Sequence, residues 1–139
     1  MSVVQVLPAA ARPIPPEGVL ALYAGAGWWP ERTAAHVETI LAAGPAVGAW
    51  DGDGELVGFA RAVSDGVCRA YVEDVVVAGS LRGQGIGRRL VDALGVELAG
   101  IDVVSLFCGP DLVPFYEGTG FHFTGQRIAH RTGKEAADA

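Results

Sequence analysis

Residues Tyr71–Leu94 read YVEDVVVAGSLRGQGIGRRLVDAL. The first seven are strand formers that carry two adjacent carboxylates, Glu73 and Asp74. Three alternating glycines follow, Gly83, Gly85 and Gly87, beside Arg82. Then Leu90, Val91, Leu94 and Leu98 recur at three- to four-residue spacing, as the buried stripe of an amphipathic helix does. A strand, a glycine turn and a helix start in this order aim the unpaired N–H groups of a helix N-terminus at a backbone that an anion can approach closely. A phosphate or pyrophosphate suits such a place. A plain turn needing positive φ is the simpler reading, and three glycines with an arginine beside them weigh against it. The dinucleotide fingerprint G-x-G-x-x-G fails, because Gly83 and Gly85 would need glycine where Arg88 stands, and no Walker loop occurs in the chain.

Downstream, Gly100 stops the helix and VVSLF reads as a short, buried parallel strand, which makes a right-handed βαβ unit. Upstream, AVGAW, the turn Asp51–Gly54, ELVGFARAV, the turn Ser64-Asp65-Gly66 and VCRAYVEDVVV read as an antiparallel meander. VVQVL near the start is a short strand. One helix is expected from Pro16 to Gly25 or Gly27, with Val19, Leu20 and Tyr23 on one face. A second is expected from Pro30 and Glu31 to Gly44, with Ala34, Val37 and Leu41 aligned. GPDLVPFYEGTGF holds a short helix with Asp111 as its expected N-cap, and FHFTGQRIAHR reads as a closing strand pair or ragged edge. The fold class is α/β, with a mixed sheet that changes from antiparallel to parallel partway along.

The 139 residues are expected to form a single domain, 1–139, and half of them are hydrophobic. The formal charge of -6 argues against nucleic-acid binding, which needs a surplus of Lys and Arg on one face. No window of about 18 apolar residues suggests a membrane span, and no basic segment precedes an apolar run, so a cytoplasmic location is expected. Cys68 and Cys108 lie in strand-like runs and read as reduced, packed thiols. His36, His122 and His130 show no ligand spacing, so no metal is expected.

With these elements in place, the chain resembles the GNAT superfamily of N-acetyltransferases. The acetyl-CoA motif of that family, Q/R-x-x-G-x-G/A, opens the helix after the fourth strand, and here it reads Arg82-x-x-Gly85-x-Gly87. PFYEGTGF resembles the family's later F-Y-x-x-x-G-F segment. The resemblance implies a sheet of six to seven strands flanked by about four helices, with the fourth and fifth strands splayed apart at a bulge. It implies that the backbone of Val75, Val76 and Val77 runs beside the pantetheine arm of acetyl-CoA, with an amide near Val76 polarising the thioester carbonyl. The N–H groups of Gly83, Gln84, Gly85, Ile86, Gly87 and Arg88, with the Arg82 side chain, would hold the pyrophosphate. Where many members carry an asparagine that contacts the pantetheine arm, this chain has Gly109.

Glu73 and Asp74 are consecutive on a strand, so their side chains are expected on opposite faces. A carboxylate can attract an ammonium ion and take its proton. The resemblance gives Glu73 the place of the family's strand-four general base and leaves Asp74 to acceptor binding, with the reverse assignment open. Tyr116 matches the tyrosine that protonates the leaving CoA thiolate, and Phe115 is expected to pack in the core. Trp28 and Trp29 fall where the family builds its acceptor mouth, or else form a buried pair. The expected activity is transfer of an acetyl group from acetyl-CoA to a primary amine of a small molecule or peptide, by direct attack in a ternary complex, with CoA as product. An acidic cleft around Glu73 and Asp74 would favour a cationic acceptor. The alternatives are a non-catalytic acyl-CoA sensor and an interaction protein whose glycine turn is purely structural. Strand edges near the C-terminus suit a homodimer.

Overall fold

The structure is a computed structural model that describes residues 3–133. Its sheet has five strands in the order β1 (Gln5–Pro8), β2 (Ala46–Trp50), β3 (Leu56–Ser64), β4 (Arg69–Val77) and β5 (Val103–Leu106). All neighbours are antiparallel except β4 and β5, which run parallel. Helices α1 (Pro16–Ala26) and α2 (Ala34–Ala43) join β1 to β2, α3 (Ile86–Glu97) crosses from β4 to β5, and α4 (Val113–Glu117) follows β5. Five strands replace the expected six to seven. The difference lies in FHFTGQRIAHR, where residues 121–131 form no strand and leave the outer edge of β5 unpaired among the described residues.

Two cores sandwich the sheet. Ile86, Leu90 and Leu94 of α3, with Leu98 at its C-cap, bury their stripe against Val47, Ala49, Ala60, Ala62, Ala70 and Val72. On the opposite face Val19, Leu22 and Tyr23 of α1 and Val37 of α2 cover Ala46, Trp50, Phe59 and Val76. The α3 face of the sheet is built largely of alanine, and at Gly58 a Cβ would come within 2.9 Å of Leu90 Cδ1 and 3.1 Å of Ala49 Cβ. Small residues there bring the helix axis close and so set the depth of its N-terminus behind β4. Among the described residues no helix is long and apolar enough to cross a membrane.

Several boundaries differ from expectation for local reasons. α2 begins not at Pro30 but after Thr33, whose hydroxyl accepts from the His36 N–H while His36 Nδ1 accepts from the Thr33 N–H, a reciprocal cap. Asp111 does not cap α4; it lies in a 3-10 turn over Pro110–Leu112 that leads into the helix, and no side chain caps either element. Cys68 and Cys108 sit just outside β4 and β5, Cys68 exposed and Cys108 half-buried; Cys68 lies in the turn ahead of β4, where the Asp65 carboxylate gathers the N–H groups of Val67, Cys68 and Arg69.

The tight contact at Gly58 carries a prediction. Gly58→Val forces Leu90 or Ala49 aside and should lower the free energy of unfolding by about 1–3 kcal/mol, with Gly58→Ala costing less, as read from urea denaturation midpoints.

Candidate active site

β4 pairs with β3 along its whole length but with β5 only from Arg69 to Val72. Beyond Val72 the two parallel strands part, so the β5-facing edge of Glu73–Val77 has no strand beside it. The split coincides with a register shift between β3 and β4. Arg61 lies opposite Asp74 and Ala62 opposite Val72, which leaves Glu73 as an extra residue, a β-bulge. The bulge flips the alternation of the strand. Ala70 and Val72 join the α3 core before it, and Val75 and Val77 join that same core after it, while Val76 turns to the α1 side.

This overturns the expectation that Glu73 and Asp74 point to opposite faces. Both reach Arg61, whose Nε donates to Asp74 Oδ2 at 2.7 Å and whose second guanidinium nitrogen lies 3.9 Å from Glu73 Oε1. Asp74 is 3% exposed, and its Oδ2 also accepts the Tyr23 hydroxyl at 2.7 Å. Arg32, from the loop between α1 and α2, places a terminal guanidinium nitrogen 3.9 Å from the same oxygen, buried and without a hydrogen-bond partner among the described residues. The cleft is therefore not acidic, because two arginines stand against two carboxylates. Asp74 is held as the hub of a buried network, and Glu73 is the more accessible of the pair, its side chain 20% exposed.

Burial, and after it the Asp74 carboxylate that accepts its proton, pushes the Tyr23 hydroxyl up to about 12. Tyr71, two residues before Glu73, is likewise raised to about 12 by burial first and by the Glu73 carboxylate second.

The tryptophans do not form a buried pair; they differ in exposure. Trp28 is half-buried against Tyr23, ring centroids 6.2 Å apart. Trp29 is 40% exposed and has a φ of 50°, unusual for a side chain of that bulk, and the Arg32 guanidinium stacks 4.1 Å above its ring.

The turn after β4 is shaped as a cradle. Gly83 and Gly85 take φ of 80° and 82°, values that favour glycine, and a Cβ at either would meet open space. Gly85 is the N-cap of α3, and no side chain caps the helix. The first helical bond runs from Arg89 N–H to Gly85 O, so the N–H groups of Ile86, Gly87 and Arg88 lie ahead of it, with the positive end of the helix dipole behind them. Arg82 Nε donates back to Val77 O at 3.3 Å, which bends the turn toward the free end of β4.

α4 stands beside this cradle. A Cβ on Gly87 would lie 3.4 Å from the Phe115 ring. Phe115 is half-buried and Tyr116, at 8% exposed, is the more deeply packed of the two, so the core role expected of Phe115 is shared. Tyr116 sits edge-on to Phe115 at 4.9 Å and to Phe121 at 6.0 Å, and burial raises its hydroxyl pKa, with Cys108 adding to the rise.

A strand edge freed at a bulge, leading into an uncapped helix with a glycine cradle, matches what the sequence resemblance implied. The sequence profile of the Acetyltransferase (GNAT) domain family matches residues 29–133. The chain belongs to this family.

Among its relatives, the uncharacterised N-acetyltransferase ycf52 of Pyropia yezoensis is 41% identical over 73 residues, covering 51% of this chain and 42% of the relative. Serotonin N-acetyltransferase 2, chloroplastic, of Oryza sativa subsp. japonica is 44% identical over 70 residues, covering 49% of this chain and 35% of the relative. These matches span less than half of either relative. A GNAT-family acetyltransferase from Streptococcus pneumoniae TIGR4 superposes with a TM-score of 0.72 at 28% identity, over 95% of this chain and 100% of that one. Its Xanthomonas campestris pv. campestris counterpart gives 0.77 at 27% identity, over 94% and 93%.

Three site residues have no part in the family motif, namely Arg61, Tyr23 and Arg32. Arg61 had a signal, a lone charge inside the apolar run LVGFARAV; the other two had none. Gly109 opens the 3-10 turn before α4 with an extended backbone, and no side chain stands there to reach the cleft. Among the described residues no group of three His, Cys, Asp or Glu comes together as a metal site requires.

The network makes two predictions. Arg61→Met leaves Asp74 buried without its principal countercharge and should destabilise the fold by about 3–5 kcal/mol, more than Glu73→Gln does, in thermal or denaturant unfolding. The second concerns alkali. Tyr23 ionises near 10.0 when unfolded and near 12 when folded, so its contribution is complete below pH 10.0 and is lost as pH rises toward 12. Unfolding free energy should fall across that window, and Tyr23→Phe should flatten the slope, leaving the part due to Tyr71.

Proposed function

We propose that this chain binds acetyl-CoA in the gap between β4 and β5 and passes the acetyl group to a primary amine by direct attack in a ternary complex. The observation that carries this reading is the continuous path from the unpaired edge of Glu73–Val77 into the open cradle of Gly83 and Gly85. An extended arm can lie along the first as a strand neighbour would, and a pyrophosphate can rest on the second. Backbone N–H groups from Gly83 to Arg88 would hold that anion, and the Arg82 side chain, now turned to Val77 O, would add a charge close by. The residues present fit the group: the glycine positions are open and the helix start has no side-chain cap to displace.

Bound acetyl-CoA supplies an activated acetyl thioester. An amide near Val76, on the free strand edge, would polarise the carbonyl oxygen. Glu73 takes the proton that the incoming ammonium ion must lose before its nitrogen attacks the carbonyl carbon. Asp74 is poorly suited to that task, because its Oδ2 already accepts from Tyr23 and Arg61. As the nitrogen–carbon bond forms and the carbon–sulfur bond breaks, Tyr116 gives a proton to the departing sulfur. A raised pKa keeps its hydroxyl protonated through neutral pH. Trp29 and Arg32 stand at the mouth by which the acceptor enters.

Calorimetry with CoA and a turnover screen over amines test the reading together. Micromolar CoA binding that Gly85→Val weakens by tenfold or more, with CoA released in the presence of at least one amine, is the expected result. Binding without turnover of any amine would sink the transferase reading. Tyr116→Phe should lower kcat more than it changes CoA affinity, and Glu73→Gln should move the rise of kcat/KM with pH to higher pH.

A further inference from the structure

Arg32 is the loose end of the charged network. Its Nη1 is the only buried side-chain nitrogen or oxygen without a hydrogen-bond partner among the described residues. Asp74 Oδ2 lies 3.9 Å away, beyond hydrogen-bond reach, and that oxygen already accepts from Tyr23 and from Arg61, each at 2.7 Å. A buried guanidinium nitrogen left without an acceptor is costly, so it calls for a partner from outside the chain.

The loop holds Arg32 in place. Its N–H donates to Trp29 O at 3.0 Å, which closes a turn over residues 29–32, and the next residue, Thr33, caps α2. The guanidinium lies 4.1 Å from the centroid of the Trp29 ring and 5.6 Å from that of Tyr23. Aromatic faces attract the flat side of a guanidinium but supply no oxygen, so its in-plane N–H groups remain to be met. The 19% of the side chain that stays open lies on atoms other than Nη1. Because the charge is delocalised over the planar group, an anion on the open side compensates all of it.

Two arginines and two carboxylates leave the cluster without surplus charge. An acceptor that carries only an ammonium ion upsets that balance. One that also carries a carboxylate matches the two members with capacity to spare, Glu73 and Arg32. The contacts that lead from Glu73 through Arg61 and Asp74 to Arg32 are each 3.9 Å or less, which keeps the two ends within reach of one small molecule. We propose that the acceptor is a small amino acid, its amine beside Glu73 and its carboxylate held by the Arg32 guanidinium. This rests on the transfer reading above and uses the same step: the ammonium proton passes to Glu73, the nitrogen–carbon bond forms, the carbon–sulfur bond breaks and the sulfur is protonated. The carboxylate takes no part in that chemistry; it holds the acceptor, and Arg32 selects for it.

The test uses the full chain with acetyl-CoA and follows thiol release with glycine, 4-aminobutyrate and 6-aminohexanoate, each beside its own amide. The amide keeps the amine and the size and removes only the negative charge. It also loses its ammonium proton more readily, so reactivity alone favours it. The expected result is a kcat/KM for at least one acid that is about tenfold or more above that of its amide. Arg32→Gln should bring that ratio to about one by raising KM for the acid, and Arg32→Lys, which keeps the charge and loses the fork, should retain part of it. Calorimetry of the preferred acid on the CoA-bound protein should show about tenfold weaker binding in Arg32→Gln, with the thermal midpoint read alongside. Amides used as well as or better than every acid overturn the assignment in the unaltered protein, whatever the variants do, and leave the transfer reading standing. Turnover of other amines with none of these six does the same. An equal loss for acid and amide in Arg32→Gln also overturns it, since Arg32 would then serve structure alone. CoA binding without turnover of any amine in the wider screen removes both readings together.

Discussion

One inserted residue organises the site. If Glu73 took a regular place in the ladder instead of bulging out of it, β4 would continue its alternation past Val72. The valines that now turn to α3 would then face α1, and the carboxylates would separate onto two faces. The bulge twists the strand at the point where β5 departs, so the same irregularity brings two acidic side chains to one face and lies where a backbone edge is opened. α3 then starts nine residues after the end of that edge, at Ile86, at a depth set by the small side chains it packs on. The positions of cradle, free edge and carboxylates are thus consequences of a single ladder defect together with a close helix contact.

Charge balance is the second constraint. A carboxylate as buried as Asp74 is costly to enclose unless donors meet it, and Tyr23 and Arg61 both donate to its Oδ2. Those donors come from α1 and β3, with Arg32 adding its charge from the loop between α1 and α2, so the network also fixes how that pair of helices sits on the sheet. The arrangement separates two neighbouring acids by burial: one is committed to the architecture and the other is the more accessible.

Much of this was legible in the sequence. The path from YVEDVVV through the glycines to the leucine stripe has an unmistakable change of period, and positive φ at Gly83 and Gly85 follows from the need for a tight strand-to-helix turn. The meander was readable from Asp51–Gly54 and Ser64–Gly66 for the same reason, since turn chemistry is local. The bulge was not readable at its residue, because an extra residue in a ladder depends on the register of the partner strand and leaves no mark in β4 itself. Without it, period-two reasoning sent Glu73 and Asp74 to opposite faces and left their countercharges unseen. Arg61 is far from them in sequence and meets them only through strand pairing. The start of α2 was misplaced because Pro30 and Glu31 look like a helix opening, whereas Thr33 with His36 makes the actual cap. FHFTGQRIAHR alternates well enough to suggest strands, yet residues 121–131 find no ladder partner.

The half-paired strand has one more consequence. A sheet ordinarily has two edges, and each is a place where a foreign strand can add and start aggregation. This one has a third edge in its interior, along Glu73–Val77, where backbone groups face a gap and not a neighbour. Phe115 of α4 closes against Gly87 of α3 at one end of that gap, and paired β5 closes the other. The opening is therefore bounded at both ends, like a slot. Its unpaired backbone groups thus lie inside a bounded gap and not along an open outer strand.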